Sequence, residues 1–461
     1  MRFSFNSNIF PDNSNAFLVG GCVRDILLDR SPMDYDIAVS SNPVEFAEKL
    51  AIKTSGHLVF IGKNDKRLIR VVAGSHIFDI LPVYGGSIEA DLKNRDFTIN
   101  AMAFSLDSGK LIDCIGGQKD LINKIVRLVS EKAFLKDPLR MLRAFRIASE
   151  NNFEIEPSSL SSIKKYSYLL KNQAGERIKA EIFKLLKTTC SYPYLMQLIN
   201  SGPINEILPE LINLKHCSQN RHHSYDVFDH TLKSYSHMEN IIANLSTIIS
   251  DPSSPVHRHL NEHKKALIKW TILLHDIGKP FVKSEDEEGN IHFYGHAAKS
   301  AEIAEIISKR LRFSNYEAGH VDIVVRNHNR PLYLFNLYKK NQFKKKHLTR
   351  FFLSCDEYVP DILLHGIADH KGKAPDSDNE FVDFLLNAIK NFYLDFKSAK
   401  SRPRLLTGND LIRVFGLKPS PAFKTVLKYI EEERLSGHIH KKEEAIKIAE
   451  EFLMNSKNSN P

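Results

Sequence analysis

The sequence predicts an α+β protein, with strands and helices mixed in the N-terminal portion and helices nearly everywhere after it. Three observations carry this. From Phe17 to about Val129, short apolar runs such as Ala16-Phe17-Leu18-Val19 and Leu68-Ile69-Arg70-Val71-Val72 alternate with glycine turns and helical stretches. From about Phe134 onward, apolar residues recur at three- and four-residue spacing and strand signals fade. The 461 residues also exceed what one hydrophobic core usually organises, which points to about three domains. The expected divisions are a mixed portion over 1–130, linking helices over 131–190, a helical body over 191–400 and a helical tail over 401–461.

Composition narrows the class. Sixty-four Lys and Arg against 55 Asp and Glu leave a net charge of +9, which favours polyanionic partners. No apolar run approaches the roughly 20 residues of a spanning helix, so no membrane partner is expected. The five cysteines are odd in number and form no CxxC pair, so neither a disulfide framework nor a thiolate zinc site is suggested and a reduced, cytoplasmic compartment is expected. The first residues carry no apolar stretch of the secretory kind.

Along the chain, Leu18-Val19-Gly20-Gly21-Cys22-Val23-Arg24-Asp25 sets two glycines between an apolar run and an amphipathic helix. Such a turn can offer backbone N–H groups to phosphate, with Arg24 adding charge. Asp34-Tyr35-Asp36 leads into Ile37-Ala38-Val39, and the two-residue period of a strand puts both carboxylates on one face, where hard oxygen ligands could hold Mg²⁺. Asp79, within Ile77-Phe78-Asp79-Ile80, is a carboxylate inside an apolar strand, costly unless paired or metal-bound. Asp137-Pro138 reads as a helix start, with Arg140, Arg143 and Arg146 following at three-residue spacing on one face. The stretch 248–264 reads as a long loop, and Lys397 to Pro403 as a hinge before the tail.

Taken together, Gly20-Gly21-x-Val23-Arg24-Asp25 and Pro32-Met33-Asp34-Tyr35-Asp36 resemble class II tRNA nucleotidyltransferases and bacterial poly(A) polymerases. Asn94-Arg95-Asp96-Phe97-Thr98-Ile99-Asn100-Ala101 resembles the family's RRDFTINA element, with Asn94 in place of the first arginine. Asp113, Gly116-Gly117 and Asp120-Leu121 resemble the next element. Asp137-Pro138-Leu139-Arg140 with Arg143 and Arg146 resembles the nucleotide-selecting one, preceded by Lys136 where the family usually has Glu. Ala174-Gly175-Glu176-Arg177-Ile178 with Glu181 resembles the last.

The resemblance implies a nucleotidyltransferase head with a mixed sheet, a helical neck, a body and a tail. It implies that Asp34 and Asp36 hold Mg²⁺, with Asp79 as third carboxylate, and that Gly20, Gly21, Arg24, Arg95, Asp96, Asp137, Arg140, Arg143 and Arg146 serve the nucleotide. Its implied partners are tRNA, CTP and ATP. Only eleven residues, Ile80 to Ala90, separate Asp79 from Asp91, where the family usually carries a longer flexible loop. Members without that loop are CC-adding enzymes, so CC addition is expected here, with full CCA synthesis as the alternative. A poly(A) polymerase, or a phosphohydrolase whose head binds RNA, are the rival readings.

Farther on, His230, His275-Asp276, His296, His328 and Asp369 resemble in order the ligands of the HD phosphohydrolase superfamily. Imidazole and carboxylate ligands suit Mn²⁺, Fe²⁺, Ni²⁺ or Mg²⁺. His230, His275, Asp276 and Asp369 would form one site, and Asp276, His296 and His328 the other. Finally, Asn329 to Arg350 holds seven Lys or Arg and no acid, with Tyr333, Phe335, Tyr338 and Phe343 interleaved. Lys339, Lys340, Lys344, Lys345 and Lys346 are candidate RNA contacts, and a packed aromatic core under solvated lysines is the alternative.

Overall fold

A computed structural model describes residues 9–12, 14–62, 68–218, 226–249, 254–373, 379–418 and 420–458. The chain forms two compact units, Met1–Pro209 and Glu210–Pro461. The expected α+β arrangement is observed, a mixed sheet with helices in the first unit and a helical second unit.

The first unit begins with β1 (Ala16–Val19), α1 (Gly21–Leu27), β2 (Asp34–Val39), α2 (Pro43–Thr54), β3 (His57–Ile61), β4 (Leu68–Ala73) and β5 (His76–Pro82). It continues through α3 (Ile88–Leu92), β6 (Ala103–Ser105), β7 (Leu111–Ile112) and α4 (Gly117–Ile122), then α5 (Lys132–Lys136), α6 (Arg140–Asn151), α7 (Pro157–Tyr166) and α8 (Gly175–Lys187). The sheet order is β3-β4-β5-β2-β1-β6-β7. Within this sheet, among the described residues, β2 and β5 alone pair in parallel, and their register sets Asp36 beside Asp79. Local chemistry fixes the ends of elements: Asn42 caps α2 by accepting from the Val44 and Glu45 N–H groups, with Pro43 at the first helical position.

Alternation on β2 does what the period requires. Tyr35, Ile37 and Val39 are buried, while Asp34 and Asp36 stay open on the other face. Tyr35 is wholly buried and stacks on Phe78 of β5, ring centroids 5.4 Å apart. The helix expected from Pro138 becomes regular only at Arg140. Asp137 ends α5 in extended conformation (φ −146°, ψ 96°) and its Oδ1 accepts from Leu139 N–H (3.3 Å), so it acts as the joint between two helices. The amphipathic face of α6 packs on α8, burying Met141, Leu142, Phe145, Ile182 and Leu186.

In the second unit, helices Val227–Ala243, Glu262–Leu274, Asn315–Asn327 and Val359–Lys371 pack together around fully buried side chains such as Tyr235, Trp270 and Ile362. A two-strand hairpin, Ser284–Glu285 with Ile291–His292, interrupts the helices. Two expectations are corrected. The hinge at Lys397 is helical: a π-helical turn over Phe392–Phe396 continues helix Asn379–Asn391 into Lys397–Ser401, anchored by Phe392 and Phe396 against Phe352. Within 248–264, residues 250–253 lie outside the described ones, but Pro255–His259 and the residues from Glu262 are helical. The tail packs its own cluster around Leu406, Leu411, Val426, Ile430 and Ile439.

Because Tyr35 fills the layer beneath the two aspartates, Tyr35→Ala should cost about 3–5 kcal/mol. Hydrogen exchange of the β2 and β5 amides should accelerate accordingly, and unchanged protection there would show that this layer does not support the strand.

Candidate functional sites

The head site is built on the turn between β1 and α1. Gly20 has φ +78°, and a Cβ there would lie 2.9 Å from Asp36 Oδ2 and 3.0 Å from an Arg95 guanidinium nitrogen. Glycine is therefore required twice, by conformation and by the approach of these side chains. The Asp36 carboxyl is pushed up from its ordinary range by crowding protein atoms, with Asp79 and Asp34 adding to the rise and Arg95 opposing it. Asp79 sits level with Asp36, but both its oxygens are engaged by Arg70 of β4 (2.7 and 2.8 Å). Arg70 is a residue that sequence reading missed; its cross-strand position opposite Asp79 exists only once β4 and β5 pair.

The remaining nucleotide candidates fall into two kinds. Arg24 is buried, donating to Asn100 Oδ1 (2.8 Å) and to Asp25. Asn100 in turn donates to Asp96 Oδ1 (3.1 Å), whose other oxygen accepts from Arg143 (3.2 Å). Burial works against the Asp96 charge, but Arg143, Asn100 and the Phe97 N–H hold its carboxyl below the ordinary range. Arg146 is occupied by Glu181 (2.7 Å) and Glu150 (2.8 Å). Arg24, Asp96, Arg143 and Arg146 are thus engaged by protein partners, and Arg95, which lies beside Asp36, is paired with Asp91 (2.9 Å). Arg140 donates to the Asn94 carbonyl (3.2 Å), and Asp137 Oδ2 accepts from Arg177 (3.0 Å).

The second site lies in the helical unit. His275 ends helix Glu262–Leu274, with Asp276 next to it. Helix Val227–Ala243 brings His230, helix Val359–Lys371 brings Asp369, and His296 and His328 stand at the ends of helices His296–Arg310 and Asn315–Asn327. Among the described residues, two trios place their ligand atoms within 4.8 Å of one another: His230, His275 and Asp369, and Asp276, His296 and His328. The head carboxylates form no such trio. Asp276 faces both sets, with Oδ2 3.1 Å from His275 Nε2 and Oδ1 3.4 Å from His296 Nε2.

The tautomers are set by backbone carbonyls. Nδ1 of His275, His296 and His328 meets the carbonyls of Ile272, Phe293 and Val325 at 2.6–2.7 Å, and since a carbonyl only accepts, each Nδ1 carries the proton. Each Nε2 is left to face the centre. His275 Nε2 is buried without hydrogen-bond geometry to any partner. Burial opposes the charged form of His275, yet Asp276 and Asp369 raise its pKa to about 10, while burial with His275 and His296 nearby lowers His328 to about 3. The imidazole and carboxylate donor set fits divalent ions.

A cleft of about 280 Å³ opens onto this centre, with Lys279 and Lys373 at its walls, paired to Asp276 (2.7 Å) and Asp369 (3.2 Å). His365 is a further residue sequence reading missed. It lies one helical turn before Asp369, fully buried, its ring 5.0 Å from that of His275, and both of its nitrogens are without hydrogen-bond partners.

The basic stretch divides. Lys339 pairs with Glu380 (2.6 Å), and Lys346 with Glu433 and Glu432. Among the described residues, none forms an ion pair with Lys340, Lys344 or Lys345. Phe335, Tyr338 and Phe343 all lie against Phe384, but of the three only Phe335 is buried, and Tyr338, like Tyr333, is exposed.

Three family models match the chain. Residues 16–83 and 81–127 match the poly A polymerase head domain, 152–215 the probable RNA and SrmB-binding site of polymerase A, and 227–376 the HD domain. Such head and HD domains are generally metal-dependent. The chain is 29% identical to an A-adding tRNA nucleotidyltransferase of Deinococcus radiodurans, covering 94% of this chain and 95% of that one. It is 28% identical to a CC-adding tRNA nucleotidyltransferase of Thermus thermophilus, over 95% of this chain and 93% of that one. A CC-adding tRNA nucleotidyltransferase of Geobacter sulfurreducens is 39% identical, over 41% of this chain and 44% of its own length. In fold, the chain resembles the Thermotoga maritima CCA-adding enzyme complexed with tRNA, with TM-score 0.64, 22% identity and coverage of 96% and 92%. No helix among the described residues is long and apolar enough to cross a membrane.

Gly20→Ala should destabilise the head by about 1–3 kcal/mol, since it adds left-handed strain and a clash with Asp36. Denaturant unfolding of the full chain measures this, and a wild-type profile would contradict the close approach described.

Proposed function

Since the chain belongs to the class II tRNA nucleotidyltransferases, with a poly(A) polymerase head and an HD domain, we propose that it adds 3′-terminal CCA nucleotides to tRNA. The observation that carries this is the presence within one unit of the open Asp34/Asp36 face and of Asp137 and Arg140, with the Arg24–Asn100–Asp96–Arg143 hydrogen-bond chain running from α1 to α6. Mg²⁺ held by Asp34 and Asp36 would supply charge neutralisation at the reacting phosphate. The tRNA 3′-oxygen attacks the α-phosphorus of CTP or ATP, the bond to the bridging oxygen breaks, and pyrophosphate leaves.

The residues of this chain act mainly by placement. Gly20 and Gly21 let the backbone approach the triphosphate closely, and Arg95 offers it positive charge. Asp137 can accept from the exocyclic amine of the base and Arg140 can donate to its ring acceptors, while Arg24, Asp96, Arg143 and Arg146 hold these groups in register. The RNA-facing candidates reduce to Lys340, Lys344 and Lys345, because Lys339 and Lys346 are paired.

CC addition is the finer reading. It is supported by the segment Ile80 to Ala90, which is taken up by the end of β5, a 3₁₀ turn at Tyr84–Gly86 and the start of α3. With tRNA lacking its CCA end, CTP plus ATP should give two cytidines, and efficient terminal adenosine addition would overturn that reading while leaving the family reaction intact. ATP-only homopolymer extension would favour the poly(A) polymerase alternative.

A second reading concerns the HD centre, which fits metal-dependent phosphoester hydrolysis with Mn²⁺, Fe²⁺, Ni²⁺ or Mg²⁺. It is favoured by the convergence of the ring Nε2 atoms with Asp276 and Asp369 and by the lysine-walled cleft. His275→Ala with Asp276→Ala should abolish tightly bound transition metal at the HD centre and hydrolysis of 2′,3′-cyclic nucleotides but spare cytidine addition, which uses the head carboxylates. Metal retained at wild-type stoichiometry would refute the ligand set.

A further inference from the structure

The two positions at which the chain departs from its family's motifs, Asn94 and Lys136, are bonded to each other. Lys136 Nζ donates to Asn94 Oδ1 at 2.7 Å. The same ammonium lies 3.5 Å from the Tyr84 hydroxyl and 4.8 Å from the centre of the Tyr84 ring. Three contacts thus converge on one lysine at the end of α5, one of them of the cation–π kind.

Asn94 is a junction as well as an acceptor. Its side-chain amide donates to the Ala90 carbonyl (2.8 Å), and its own carbonyl accepts from Arg140 (3.2 Å). Lys136 immediately precedes Asp137, so holding the lysine also holds the backbone from which Asp137 projects. Tyr84 belongs to the turn that occupies the short segment after Asp79, and Gly85 and Gly86, with φ of +72° and +80°, let it fold tightly. The Tyr84 N–H donates to Asp91 Oδ2 (3.0 Å), and Asp91 Oδ1 accepts from Arg95 (2.9 Å), the residue beside Asp36.

The geometry points to a specificity latch: Tyr84, Asn94 and Lys136 are positioning residues that hold Asp137 and Arg140 at one separation, suited to cytosine and poor for adenine. The latch touches no substrate. It rests on the proposed nucleotide addition, and it acts by keeping the base-reading pair from adjusting to a larger base. A flexible pair would accept both edges, because cytosine and adenine each offer an amine beside a ring acceptor.

Equilibrium binding of CTP and of ATP to the full chain tests this without requiring turnover. Lys136→Met, which keeps the length and removes the donors, should lower the CTP-over-ATP preference about tenfold, mainly by weakening CTP. Asn94→Arg alone sets a guanidinium against the Lys136 ammonium and should lower it at least as far. Asn94→Arg combined with Lys136→Glu rebuilds an ion pair of reversed polarity and should restore most of the preference, which a merely structural loss would not do. A wild-type preference in Lys136→Met, or a double variant that only sums the two losses, overturns the latch. Cytidine addition by the unaltered protein is scored separately, so failure of the parent reaction and failure of the latch are distinguishable.

Discussion

Asp96 is the charge on which the head depends. It is buried, and an unpaired carboxylate there would cost several kcal/mol, so its position is tolerable only because Asn100, the Phe97 N–H and Arg143 all donate to it. Those partners come from different places. Asn100 also accepts from Arg24 on the helix that follows the glycine turn, and Arg143 belongs to the helix that carries Arg140. The need to satisfy one buried charge therefore ties the glycine-turn end of the head to the helix that carries Arg140. Either end could move alone only by leaving a buried charge without donors.

The HD centre solves a related problem in another way. Four imidazoles and two carboxylates converge with little exposure, and Lys279 and Lys373 pair with the two acids. The three Nδ1 bonds to backbone carbonyls fix ring orientation before any ligand arrives, which lowers the cost of assembling the site. Lys279 and Lys373 place positive charge at the mouth of the cleft, as an anionic substrate would require. His365 extends the imidazole cluster inward, behind His275.

Features set by local period or by motif order were legible in the sequence. The shared face of Asp34 and Asp36 follows from the strand period, and the six HD residues were recognisable by type and order although they span 140 positions. What depends on tertiary register was not. Arg70 reaches Asp79 only across a strand pair, and the partners of Lys339 and Lys346 lie 41 and 87 positions away. The polar run after Lys397 resembled a hinge because composition does not reveal the buried Phe392 and Phe396 that carry the helix through it. His365 was one of twenty histidines until packing set it against His275.

The account stands or falls on whether the buried Asp96 frame organises nucleotidyl transfer to tRNA. The most direct measurement is single-turnover cytidine addition by Asp96→Asn, alongside circular dichroism of the same sample. The account predicts addition slowed by about a hundredfold or more while the secondary structure persists, because the uncharged amide no longer holds Arg143 and Asn100 together. Addition at the parent rate would contradict it.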